Sequence, residues 1–259
     1  MNSMSSSASS TAGMRVAVIV LTTLLYAAGK WLTASIPTPW GVGELLIGVF
    51  LPALMALLSE TMPVAIGAGL GTLVGDLFVT GTNSALSLVA GVPANFVAFL
   101  LFGWFVKKYK SWPSFVAATV AFVTLGNLIA ATSVYLFARQ LIGVTIPSSA
   151  ILGLTIFWNT TSIPAIIIAV PILVRALRPL EGRSKILPFF PEWTSSVGAR
   201  QVGLSLFFAL LFVAIGGVAF LLSPNSVETE PGLGYFALAG VLVLIFGPLA
   251  NTIAGSSRK

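Results

Sequence analysis

The sequence predicts an all-α polytopic membrane protein, a six-helix bundle followed by two additional transmembrane helices. Three observations predict it. Of 259 residues, 57% are hydrophobic and only 8% charged, with a mean hydropathy of +1.02, a balance that a water-soluble domain of this length could not bury. The apolar residues are gathered into segments near the roughly 20 residues that a helix needs to cross a bilayer. The lysines and arginines fall almost wholly on one side of those segments. In lipid every backbone polar group must be paired internally, so long apolar segments of this kind are helices.

Residues 1–13 are serine-rich and uncharged, have nothing to bury, and read as a disordered cytoplasmic tail. The apolar segment 14–36 is too long for the core of a cleaved signal peptide and is taken as a retained first helix. Further spans are expected at 45–59, 62–79, 86–106, 113–138, 149–175, 202–222 and 233–250. The second and third are short, nearly fused at Glu60 and Thr61, and interrupted or opened by Pro52 and Pro63. Residues 14–178 then form a six-helix membrane domain and 179–199 a cytoplasmic linker carrying Pro179, Pro188 and Pro191. Residues 200–259 form a two-helix accessory hairpin, almost wholly apolar.

With the amino terminus inside, Arg15, Lys107, Lys108, Lys110, Arg175, Arg178, Arg183, Lys185, Arg200, Arg258 and Lys259 share the cytoplasmic face. Only Lys30 and Arg139 fall outside, so the span count and the orientation support each other, with both termini cytoplasmic. The net charge of +6 is therefore a topology signal and a lipid contact, and no nucleic-acid partner is expected.

The central stretch is residues 67–76, GAGLGTLVGD, in which Gly67, Gly71 and Gly75 make one stripe on a helix and let a neighbour approach backbone to backbone. It ends on Asp76, the single aspartate of the chain. A carboxylate at membrane depth costs about 2.5–3.5 kcal/mol and points to function. Asp76, Lys30, Glu44 and Arg139 all fall toward the outer ends of their helices, with Asn83 in the outer loop after the third span. Asn95, Asn127 and Asn159 lie about 13–17 Å deep at 1.5 Å per residue. This convergence on the outer half of the bundle is the layout of a solute site. Trp31, Trp40, Phe78, Tyr135, Phe157 and Trp158 are at a depth to stack on a flat ligand, and asparagine amides suit a heteroatom-rich ring. Each residue also has a plainer role available. The asparagines could join helices, Trp31 and Trp40 could anchor at the interface, Lys30 and Arg139 could snorkel to headgroups, and Asp76 could be a structural partner of Lys30.

The second-span pattern Leu51-Pro52-Ala53-Leu54, the segment 67–76 continuing into Leu77, and the run 159–173, NTTSIPAIIIAVPIL, together resemble the substrate-capture (S) components of energy-coupling factor (ECF) transporters. The resemblance covers about two thirds of the chain and includes the short second and third spans followed by three longer ones. It implies vitamin uptake by a protein without its own ATPase, holding one solute in an outward-facing pocket closed by the loops 37–43, 80–85 and 140–147. The implied partners are a transmembrane coupling protein and a cytoplasmic ATPase pair. The expected docking face is Thr23 and Ala27 on the first helix, with threonine standing where the family usually has alanine. Substrate-binding candidates are Lys30, Glu44, Asp76, Asn83, Asn95, Asn127, Tyr135, Arg139, Trp158 and Asn159.

With no histidine or cysteine, the commonest metal ligands and general base are missing, and an organic solute, no metal or cofactor, and no enzymatic activity are expected. Two outer basic residues hint at an anionic group on the solute, although Glu44 and Asp76 could neutralise both. The competing expectation is a stand-alone secondary permease, proton-coupled through Lys30, Glu44 and Asp76. An intramembrane enzyme is a more distant third.

Overall fold

The computed structural model describes residues 2–33, 38, 40–79 and 84–221, and within them every element is helical. The expected eighth span, 233–250, and Asn83 lie outside the described residues. Five helical stretches are long and apolar enough to cross a membrane: Ala12–Thr33, Thr61–Phe78, Ser84–Tyr109, Trp112–Ile142 and Ser149–Leu180. The protein is a polytopic helical membrane protein.

Helix α1 (Asn2–Thr33) is helical from its second residue, so the backbone expected to be a disordered tail continues the first span. Once the apolar part is formed, adding residues to its end needs only propagation. A short 3₁₀ turn (Ile47–Val49) leads into α2 (Phe50–Leu58), whose residues from Pro52 to Leu58 are all buried. At 1.5 Å per residue this nine-residue helix is about 14 Å long, under half the thickness of a bilayer core. The second expected span is therefore a half-span. It fills the interior of one half of the bundle and leaves the other half to be filled by something else.

Around it run α3 (Thr61–Val79), α4 (Ser84–Val89) breaking into α5 (Gly91–Tyr109), α6 (Trp112–Ile142) and α7 (Ser149–Leu177). Neighbours pack in the order α1, α3, α5, α6, α7, and α2 touches α1, α3, α5 and α7 from within. The turn between α5 and α6 is tight. Lys110 takes a left-handed conformation and the Ser111 hydroxyl caps α6 by accepting from the Ser114 N–H, with Pro113 in the first turn where no N–H is needed.

The α1–α3 pairing is the most extensive of the bundle and a close one. A Cβ placed on Gly67 would lie 2.7 Å from Thr22 Cβ, and one on Gly71 would lie 2.9 Å from Tyr26 Cβ and 3.0 Å from the Thr23 carbonyl oxygen. Gly75 faces Lys30 and Ala27 in the same way. The 3₁₀ turn makes a second such approach, Gly29 against Gly48.

The connection after α7, expected as a linker, is fastened to the base of the bundle. The Phe189 N–H bonds to the Leu58 carbonyl at 3.1 Å, and Arg175 Nε bonds to the Thr194 carbonyl at 2.8 Å. The Lys107 ammonium donates to the Ser59 carbonyl and, at 3.0 Å, to Thr61 Oγ1, closing the carboxyl end of α2 with a cation. After the one-turn α8 (Trp193–Ser196), α9 (Ala199–Leu221) packs on α7, and Trp112 Nε1 reaches Ser205 Oγ at 3.0 Å.

Gly71→Leu should force α1 and α3 apart and lower stability by about 1–3 kcal/mol, the usual range for overpacking a filled site. Gly203→Ala, in α9 with nothing within 4 Å of the added methyl, should not lower it and should raise it by up to about 1 kcal/mol, since alanine is the better helix former. Thermal unfolding of both variants in mild detergent measures the difference.

Candidate functional site

Above the half-span, toward the end of the bundle away from Lys107–Lys110, lies a cavity with about 680 Å³ of empty space, its open mouth included. Its walls come from α1, the segment 42–46, α3, α4, α5, α6 and α7. They are mostly apolar, with polar groups at a few fixed points, the composition of small-molecule sites.

The charged part is a cluster of three buried side chains. Lys30 on α1 donates to Asp76 Oδ1 on α3 and lies 2.8 Å from Glu44 Oε1. Asp76 Oδ2 also accepts the hydroxyl proton of Ser87 on α4. The glycine stripe causes the first contact: it brings α1 onto α3 so closely that Gly75 sits against the Lys30 stem, one residue before the carboxylate that Lys30 meets. Burying an ammonium alone would cost several kcal/mol, and two carboxylates offset this.

Glu44 reaches the cluster from a structured loop. Thr38 N–H bonds to the Gly43 carbonyl and the Thr38 hydroxyl to the Val42 carbonyl at 2.7 Å, while Gly41 and Gly43 adopt positive φ of 68° and 78°. Gly43 lies flat on the Trp158 ring, where a Cβ would stand 3.0 Å from Cζ2, and Trp158 Nε1 holds the Glu44 carbonyl at 3.2 Å. Glu44 Oε1 is buried with the Lys30 ammonium as its ion-pair partner. Burial pushes the Glu44 carboxyl above its ordinary value, Lys30 draws it back, and Asp76 pushes it up again.

Two amides complete the polar wall. Asn95 Nδ2 donates to Thr72 Oγ1 at 2.9 Å and to the Gly91 carbonyl at 3.0 Å, and its Oδ1 accepts from the buried Tyr26 hydroxyl at 3.3 Å. Asn127 Nδ2 donates to Asn159 Oδ1 at 2.8 Å and to Ser162 Oγ at 3.4 Å. The Ser162 hydroxyl gives its own proton to the Trp158 carbonyl at 2.6 Å, so it accepts from Asn127, and this fixes which way the Asn127 amide points.

Of the residues singled out in the sequence, Lys30, Glu44, Asp76, Asn95, Asn127 and Trp158 line the cavity together. Asn159 stands behind the wall and orients Asn127. Tyr135 and Arg139 do not reach the cavity: both are exposed, because α6 turns Asn127, Ala130 and Val134 inward and each next residue on a helix points about 100° away. The hint of two basic groups for an anionic solute therefore falls to Lys30 alone, and Lys30 is already paired. Of the aromatic candidates only Trp158 lines the cavity, while Trp31 and Phe78 are exposed.

Thr23 and Ala27 do not form a free docking face. Ala27 is buried, and the Thr23 hydroxyl donates to the Gly67 carbonyl of α3 at 3.2 Å. The glycine stripe of α3 is already covered by α1, with the Thr23 carbonyl oxygen against Gly71 and Ala27 Cα against Gly75. Tyr26 and Thr72 are site residues that sequence reasoning passed over. The signal for Thr72 is its position one turn before Asp76, on the same face of α3. Among the described residues no group of three or more histidine, cysteine, aspartate or glutamate side chains comes together to hold a metal ion. No family model, curated protein or solved structure matches the chain.

The charge cluster has unequal members. Lys30→Met strands two carboxylates and should destabilise by about 3–5 kcal/mol, the cost of breaking a buried pair. Asp76→Asn should cost less, because Glu44 still neutralises Lys30, and the double variant Lys30→Met/Asp76→Asn should recover part of the loss. Unfolding transitions of the three variants in the same detergent give the order directly.

Proposed function

We propose that the protein is the substrate-capture subunit of an ECF-type ATP-driven importer, holding one vitamin-like organic solute in the cavity of the outer half of the bundle. The observation that carries the reading is the cavity itself: a half-span leaves room inside a ring of full spans, and polar side chains from several helices are turned into that room. A chain built only to pack would fill it. The sequence pattern supports the transporter class, through the Leu51–Leu54 pattern, the 67–76 segment and the proline-bearing α7, where Pro164 and Pro171 fall inside the helix. Delivery would depend on a transmembrane coupling protein and a cytoplasmic ATPase pair. With Thr23 and Ala27 engaged by α3, contact with the coupling protein would fall to the exposed ridge Val16, Val20, Leu24 and Ala28 of α1. The basic end of the bundle faces the cytoplasm of the cell membrane in this reading, and the cavity faces outward.

One observation favours a second reading. Lys30, Glu44 and Asp76 meet in the cavity, as the titrating groups of a proton-coupled permease would. Uptake by proteoliposomes of this protein alone, driven by a pH gradient, supports the permease, and uptake that requires the coupling protein and ATP supports the importer.

Native mass spectrometry of the purified protein in mild detergent should show one small organic molecule retained per chain. Asn127→Ala should weaken its retention by about 1–3 kcal/mol, since the partner groups of that amide are left unpaired. The absence of native cysteine makes orientation easy to check. A cysteine at Lys110 should be modified by an impermeant maleimide only in broken or inverted membranes, and one at Gly143 in intact cells.

A further inference from the structure

The cavity carries more than its position, because the charges in its wall are unequal. The Asn95 amide is satisfied at both ends, by Thr72 and Gly91 on the nitrogen and Tyr26 on the oxygen. Asn127 uses its nitrogen on Asn159 and Ser162, and the carbonyl oxygen of that amide remains for the cavity. The Glu44 carboxylate lines the cavity, its Oε1 in an ion pair with the Lys30 ammonium at 2.8 Å. The lysine ammonium lies between Glu44 and Asp76 and is engaged by both. Among the described residues the Asn127 carbonyl oxygen is thus an acceptor left for a donor on the solute.

Charge points the same way. One lysine against two carboxylates leaves the cluster one positive charge short of balance when both carboxylates are ionised. Arg139, the other basic residue at this end of the bundle, is exposed outside the cavity and does not correct the deficit. Ser87, Tyr26 and Thr72, the other polar groups around the cluster, are neutral hydroxyls. In a mostly apolar cavity an unbalanced negative charge is costly, and it is relieved by one bound positive charge.

We propose that the solute carries a protonated amine or an equivalent cationic N–H group, received by the Glu44 carboxylate with the Asn127 carbonyl oxygen as a second acceptor, while Lys30 and Asp76 stay paired with each other. The ammonium restores neutrality, and its N–H bonds meet the two acceptors. When the site is empty, a proton on the carboxyl pair can serve the same balance, so solute binding exchanges one cation for another. This inference rests on the reading of the cavity as a solute site, and deepens it by naming the chemical class.

The test uses three ring-matched probes, 3-(aminomethyl)pyridine, 3-(hydroxymethyl)pyridine and pyridine-3-carboxylate, at millimolar concentration with the full chain in mild detergent near neutral pH. Thermal unfolding is followed in the native sequence and in Glu44→Gln, a change that keeps the Lys30–Asp76 pair and the fold. The amine probe should raise the melting temperature most, and Glu44→Gln should weaken its apparent affinity by about tenfold or more, the loss of one charge-assisted hydrogen bond. A larger shift with the carboxylate or the alcohol, or an amine response that Glu44→Gln leaves intact, overturns the amine assignment and leaves solute capture standing. No shift with any of the three overturns both.

Discussion

The backbone-to-backbone approach of α1 and α3 is the constraint from which the site follows. Three glycines at intervals of four remove every side chain from one stripe of α3, and α1 fits against it with Thr22, Tyr26 and Lys30 at the successive contacts. In a membrane, where lipid tails are as apolar as leucine, close packing of this kind is a main source of helix association. The consequence is electrostatic as well as steric. The last glycine precedes Asp76, so the approach that joins the helices also sets the Lys30 ammonium on that carboxylate. The Gly29–Gly48 contact does the same for the third member, drawing the segment that carries Glu44 against α1.

The second constraint is length. α2 is too short to cross, yet it is almost completely buried, so it works as a plug for one half of the ring. Its carboxyl end is closed at the base by Lys107 and by the segment that follows α7, through the Leu58 and Ser59 carbonyls. Among the described residues the other half of the bundle holds the cavity, walled mostly by apolar side chains with polar groups at a few points. The filled half and the half that holds the cavity are thus divided by the end of one short helix.

Much of this could be read in the sequence, and the parts that could not have definite causes. The glycine stripe, the isolated Asp76 and the depth of Lys30, Asn95 and Asn127 follow from spacing alone, because residues three and four apart share a face. Distance along the axis is legible in the same way, but azimuth is not. Tyr135 and Arg139 have the right depth and the wrong face, and only packing against α5 and α7 decides which side of α6 turns inward. The Thr23 and Ala27 spacing was equally open to two partners, and the α3 stripe within the chain occupies it. Tyr26 was hidden by its character, since an aromatic residue mid-span reads as lipid-facing or core until the one hydroxyl is seen against Asn95.

Hydrogen bonding sorts the polar residues of the wall into those that shape it and those that can receive a solute. Thr72 donates to the Ala68 carbonyl, accepts from Asn95, and Asn95 in turn accepts from Tyr26, so this chain of bonds ties α1, α3 and α5 and has little left to offer. On the opposite wall, Ser162 and Asn159 occupy the Asn127 nitrogen and leave its oxygen. Trp158 holds the Glu44 backbone while the carboxylate hangs into the cavity beside Lys30. The amide donors of Asn95 and Asn127 are used up in holding the wall, and the Asn127 oxygen is left to the space. If a solute with an N–H group occupies this space, an analogue lacking it would leave the Asn127 oxygen without a partner, at a cost larger than the worth of the bond itself.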